Sequence, residues 1–234
     1  MDSSGKVTAM ASGIDLNKVG RNKLKQAVTG EEVELRSLWK DQACVLLFLR
    51  RMGCLLCRWI AKENSKLKGT LEKNKVRLIG IVPEREGLEE FLKGDYFAGE
   101  LFVDEDKNCY NELGFKRYHI GNIIPAILEK PFTEAVHKAY LEGIHGNLCG
   151  DVWQSGGTLL VGKGGELILY FIQESPGDYL PLDTITKALG ISANVVEAAK
   201  PESRECKVKK EQGRTPSICC LRRQLHLASC VGRS

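Results

Sequence analysis

Apolar and polar positions alternate along the chain in two rhythms. Ala43–Leu49 is a continuous apolar run, and Val76–Val82 is a second one ended by Pro83. Runs of this length predict strands covered on both faces. Leu101–Val103 reads as a third strand. Between the first two lies Cys54–Leu71, in which Leu56, Ile60, Leu67 and Leu71 fall on one face among Lys and Glu. That spacing predicts one amphipathic helix. Shorter helices are expected over Gly87–Leu92, Asp106–Leu113, Thr133–Glu142 and Pro181–Leu189, several of them followed by a glycine suited to a helix end. Thr158–Val161 and Glu166–Ile172, joined by Gly162-Lys163-Gly164-Gly165, predict a hairpin. A smaller hairpin is expected over Ala27–Leu35, turning at Gly30. The order β–α–β–α–β–α–β–β–α predicts an α/β domain, a mixed sheet with helices on both faces.

Periodicity fades after Ser192. Residues 201–234 carry eight Lys or Arg against three Glu, a net +5, and leave the rest of the chain at −1. We therefore expect a flexible N-terminus over 1–13, one redox domain over 14–191 and a disordered, basic, Cys-containing tail over 192–234. A nearly neutral body implies no basic groove for nucleic acid. Residues 1–17 lack the apolar core of a signal peptide, and no apolar run approaches a membrane span. An odd count of nine Cys, without a secretory signal, points to a reducing compartment, the cytosol.

The sharpest chemical feature is Cys54-Leu55-Leu56-Cys57. It follows a buried strand and opens a helix, where free N–H groups and the helix dipole favour a thiolate. Arg50, Arg51 and Arg58 crowd the same turn. Three-residue spacing places both sulfurs at one helix end, within disulfide reach. Half of a zinc site is the alternative, but residues 1–199 hold no second C-x-x-C or H-x-x-H. Cys44 and Cys109 read as buried thiols and Cys149 as a loop cysteine that offers a third redox thiol. Cys206, Cys219, Cys220, His226 and Cys230 match no standard zinc module, so no metal is expected. The remaining histidines, His119, His137 and His145, form no triad pattern, and the glycines at 162, 164 and 165 do not spell a dinucleotide fingerprint.

Strand, Gly53-Cys54-x-x-Cys57-Arg58, helix, and the later Ser155–Glu166 segment resemble the peroxiredoxin-like family of thioredoxin-like folds. More specific segments carry the likeness further: Ala27–Glu31, Val33–Trp39, Gly94–Leu101, Glu112–Tyr118, Gly146–Leu148 and Ser175–Tyr179. The resemblance runs from about residue 14 to 192. It implies a thioredoxin-like mixed sheet, with Cys54 and Cys57 catalytic. It also implies reduction of a lipid endoperoxide, prostaglandin H2 or its ethanolamide, to the F-type diol. NADPH is the implied reductant; without a dinucleotide fingerprint, its electrons are expected to arrive through thioredoxin or a similar carrier. Arg58 or the helix N-terminus is expected to stabilise the developing alkoxide.

Two departures stand out. The position of the usual cis-proline falls on Gly157, which is expected to leave room for a bulkier substrate. The Pro and Thr positions of the peroxiredoxin signature fall on Arg50 and Cys54. Thioredoxin logic then makes Cys54 the attacker and the peroxiredoxin position makes it Cys57; exposure ahead of the helix favours Cys54. A general thiol peroxidase or disulfide reductase, or a redox-switch binding protein, are the competing functions.

Overall fold

A computed structural model describes residues 13–119 and 130–191. The expectations for residues 1–12, and for the tail from 192 with its cysteines and His226, lie outside the described residues.

Seven strands form one mixed sheet: β1 (Lys23–Gln26), β2 (Glu32–Glu34), β3 (Ala43–Phe48), β4 (Val76–Val82), β5 (Glu100–Val103), β6 (Gly157–Val161) and β7 (Leu167–Ile172). Their order is β2-β1-β5-β4-β3-β6-β7. β3, β4 and β5 run parallel, whereas β6 lies antiparallel to β3 with Phe48 opposite Gly157. The helices are α1 (Leu16–Val19), α2 (Leu55–Ser65), α3 (Lys68–Lys73), α4 (Leu88–Lys93), α5 (Asn108–Glu112), α6 (Lys130–Leu141) and α7 (Leu182–Ala188), with a 3-10 turn over Leu35–Trp39.

The alternation of β3 explains both cores. Cys44, Leu46 and Phe48 point to one face, where Trp39, Tyr110, Leu113 and Phe115 pack on them. Val45 meets Leu67, Leu71 and Ile185 on the opposite face, and Leu47 meets Leu56, Trp59 and Ile60 there. A strand buried on both sides needs apolar residues at every position, which is why its run is unbroken.

The single helix expected over Cys54–Leu71 is two. The Asn64 amide donates to the Ile60 carbonyl at 2.8 Å and the Ser65 hydroxyl to the Ala61 carbonyl at 2.8 Å. Lys66 and Leu67 N–H then bond to Glu63 and Asn64, three residues back, and the helix tightens and stops. Side chains that compete for helical acceptors end helices without a glycine or proline. The N-terminal hairpin also begins earlier than expected, at Lys23. The Gln26 side chain accepts from the N–H groups of Val28 and Thr29 and so shapes its turn.

The parallel strands place their carboxyl ends at one edge, and the chain leaves β3 there for the Arg50–Gly53 turn and α2. Crevices at such ends, where neighbouring connections diverge, are the common ligand sites of α/β sheets. A recess of about 320 Å³ lined by Lys68, Arg77 and Glu100 lies at the opposite ends of these strands and does not reach the Cys pair.

Candidate active site

Cys54 is the N-cap of α2, with extended backbone (φ −74°, ψ 124°), and Cys57 lies in the first helical turn. Both thiols are free and buried, at 8% and 2% exposure. Sequence places Cys54 as the more exposed of the two, and that ordering holds, but only a sliver of it faces solvent.

The surroundings separate the two sulfurs electrostatically. The neighbouring Cys57 thiol, with Arg50 and Arg51, holds the Cys54 thiol well below the usual thiol range despite its burial. The Cys57 amide adds to this pull without closing a geometric cap bond. Cys57 moves in the opposite direction, because the Cys54 sulfur beside it favours its protonated form, burial disfavours its charge and a Cys54 thiolate repels it. One thiol is biased to thiolate and its neighbour stays protonated, the division a nucleophile and a resolving thiol need.

The three arginines divide the work differently from the expectation that all of them bear on the sulfurs. Arg50 Nη1 lies 3.9 Å from Cys54 Sγ, while its Nε donates to the Gln154 carbonyl at 2.9 Å and its Nη2 to the Val152 carbonyl at 3.0 Å. Arg51 Nη1 donates to the carbonyls of Asn147 and Cys149 at 2.6 and 2.8 Å. Arg58, 1% exposed, donates to the carbonyls of Met52 and His145 and to the Glu90 carboxylate. Arg58 spends Nε and Nη1 on these partners, its buried Nη2 has no hydrogen-bond partner, and it makes no hydrogen bond to either sulfur; Arg50 holds the place expected of it.

These bonds bind a strap, residues 145–154, across the start of α2. The Asn147 N–H donates to Gly53 O at 2.7 Å, its amide reaches Glu90 at 2.5 Å, and the Asp151 N–H donates to Glu84 at 2.6 Å. The fit is close: a Cβ on Gly146 would stand 2.7 Å from the Leu55 nitrogen, and one on Gly53 would stand 2.7 Å from the Cys149 carbonyl. Cys149 sits on the strap with its side chain exposed. Cys44 and Cys109 are fully buried in the core, away from the pair, and burial pushes the Cys44 thiol up to about 12. His119, His137 and His145 are exposed.

Gly157 does not open the site as expected. A Cβ there would stand 2.6 Å from the Phe115 ring and 2.2 Å from the Phe171 carbonyl. The glycine makes room for the Phe171 carbonyl and the Phe115 ring, so the space that a side chain would occupy there is already filled by the core. Sequence reasoning also passed over Tyr118, whose ring lies 4.8 Å from the Arg50 guanidinium. The only signal for it was its place at the end of the Glu112–Tyr118 segment.

Among the described residues, no group of His, Cys, Asp or Glu is gathered as a metal site, and no helix is long and apolar enough to cross a membrane. Gly162, Gly164 and Gly165 form the β6–β7 turn, with Gly164 and Gly165 in left-handed conformations. They serve a hairpin and do not cradle a dinucleotide at a helix start.

A family model described as AhpC/TSA antioxidant enzyme matches residues 65–175, a span that begins after the Cys pair. The prostamide/prostaglandin F synthase of Bos taurus is 57% identical over 195 residues, covering 83% of this chain and 97% of the relative. The Homo sapiens protein of the same name is 56% identical over 192 residues, 82% and 97% of the two chains. That of Danio rerio is 52% identical over 195 residues, 83% and 97%. Among solved structures, the peroxidoxin BcpB of Mycobacterium tuberculosis aligns with 72% of this chain and 88% of its own at 16% identity and a TM-score of 0.48. With relatives more than half identical over nearly their whole length, the chain belongs to the prostamide/prostaglandin F synthase family, whose members are oxidoreductase enzymes.

Proposed function

We propose that this protein reduces a lipid endoperoxide, of the prostaglandin H2 or prostamide H2 kind named in its relatives, to the F-type diol through Cys54 and Cys57. The observation that carries the reading is the placement of two free, buried thiols at the start of α2, with Arg50 Nη1 3.9 Å from Cys54 Sγ, an arrangement that favours a thiolate at Cys54 and a protonated Cys57.

The Cys54 thiolate attacks one oxygen of the O–O bond. A sulfur–oxygen bond forms, the O–O bond breaks, and the second oxygen leaves as an alkoxide. The alkoxide takes a proton. Cys57 then gives up its proton and attacks Cys54 Sγ, closing a disulfide and releasing the other oxygen, which is protonated in turn. Two thiols become one disulfide, and the two protons they lose match those the diol gains. The resting enzyme is restored when an external dithiol carrier, thioredoxin or a protein like it, reduces the disulfide with electrons ultimately from NADPH. The glycine-rich segment of the described residues is a hairpin turn and makes no cradle for the NADPH pyrophosphate, which fits delivery of the electrons by a carrier.

Comparison of kcat/KM for the endoperoxide, hydrogen peroxide and insulin disulfides tests the reading. We expect the endoperoxide to lead clearly. Equal or greater efficiency with hydrogen peroxide, or with insulin, makes the protein a general thiol peroxidase or disulfide reductase instead.

A further inference from the structure

We propose that Tyr118 is a positioning residue that aims Arg50, and that Arg50 is a catalytic residue whose Nη1 stabilises first the Cys54 thiolate and then the alkoxide that leaves the cleaved O–O bond. The second half rests on the endoperoxide reading above; the first half does not.

Arg50 is only 5% exposed, in a turn where a long flexible side chain would otherwise reach solvent. Four contacts fix it. Nε is held by Gln154 O and Nη2 by Val152 O. Tyr118 covers the guanidinium face, its ring centroid 4.8 Å from Arg50 Cζ. The remaining arm, Nη1, is directed at Cys54 Sγ at 3.9 Å. A guanidinium carries five N–H donors in a rigid plane, so fixing two nitrogens and one face determines where the third nitrogen points.

The Tyr118 ring is itself immobilised. It is 5% exposed, and its hydroxyl donates to the Gln173 carbonyl at 3.1 Å. The contact to Arg50 is thus made by the ring face and not by the hydroxyl. Cation–π attraction is strongest where both partners are desolvated, as these are.

The charged and titratable groups facing Cys54 are Cys57 from α2 and Arg50 and Arg51 from the turn. Those facing Arg50 are Cys57, Cys54, Tyr118 and, from the strap, Asp151. Arg51 is tied to the strap carbonyls, which leaves Arg50 as the cation in contact with sulfur. When Cys54 attacks, negative charge passes from sulfur to the departing oxygen nearby. A donor already fixed beside the sulfur needs no reorganisation to meet that charge. The electron pair comes from Cys54 and ends on the oxygen; Arg50 supplies hydrogen bonds and gives up no proton.

The test is the pH profile of iodoacetamide alkylation at Cys54, read by fragment masses of the peptide holding Cys54 and Cys57, together with kcat for the endoperoxide. Arg50→Gln is expected to raise the Cys54 inflection by roughly one pH unit or more. Tyr118→Leu is expected to raise it by roughly half to one unit, and Tyr118→Phe, which keeps the ring, to restore the wild-type inflection. A folded Tyr118→Leu with the wild-type inflection, or a Tyr118→Phe as shifted as the leucine variant, overturns the positioning role. If Tyr118→Leu does not fold, Tyr118→Phe and Arg50→Gln decide it: a shifted phenylalanine variant or an unshifted glutamine variant overturns it. At a pH above every inflection, where Cys54 is fully thiolate, Arg50→Gln is expected still to lose kcat by about 100-fold; full recovery there overturns the alkoxide role. Absence of endoperoxide turnover in the wild type instead overturns the substrate reading and leaves the alkylation result standing.

Discussion

Cys54 and Cys57 differ by one helical turn and by opposite electrostatic surroundings, and the chemistry follows from that difference. The Cys54 thiol is held below its ordinary range, so its thiolate fraction, and with it the alkylation rate, grows with rising pH and levels off before a free cysteine would reach half ionisation at about 8.5. An inflection at or above that value contradicts the assignment. In the same experiment Cys44 and Cys109, fully buried, stay unmodified while the fold is intact. Arg58 supports a contrasting prediction. Its replacement by Met strands the carbonyls of Met52 and His145, so the midpoint of denaturation should report a loss of about 2–4 kcal/mol. The Cys54 inflection should stay near wild type, since Arg58 does not touch the sulfur. The C-x-x-C pair at a helix start was legible from sequence. The separate duties of the three arginines were not, because five of their partners are backbone carbonyls 87 to 104 residues away, and a carbonyl leaves no mark in sequence.

At the scale of elements, the buried strands were the most legible part, since a strand covered on both faces needs apolar residues at every position. The break between α2 and α3 was hidden because Asn64 and Ser65 cap backbone carbonyls with side chains that look harmless in a helical pattern. The strap was hidden as well: residues 145–154 have no periodicity, and their order comes from what they touch. Gly157 shows how a single position can be read backwards. Its smallness suggests an opening, whereas the Phe115 ring already fills the space. Gly157→Ala should therefore overpack the junction of β3, β6 and β7 and cost about 1–3 kcal/mol, measured by chemical denaturation. A neutral or stabilising effect means that Phe115 yields easily and that the space is available after all.

For the whole molecule, the sheet and its helices bring one dithiol to the carboxyl end of a central strand and hold it beneath a strap. The curated relatives match this chain over about 195 residues, which is nearly their whole length. A protein ending at Ala199 should keep the thermal midpoint and the turnover of the full chain with a chemical reductant; a large loss of either gives the last 35 residues a working part. The central claim is that Cys54 attacks and Cys57 resolves. It is tested most directly by following endoperoxide consumption and the mass of the protein in wild type, Cys54→Ser and Cys57→Ser. The account predicts many turnovers for the wild type and none for Cys54→Ser. Cys57→Ser should consume about one equivalent and trap Cys54 as its sulfur–oxygen adduct or the sulfenic acid formed from it by water. Continued multiple turnover by either variant, or a single trapped turnover in Cys54→Ser instead, contradicts it.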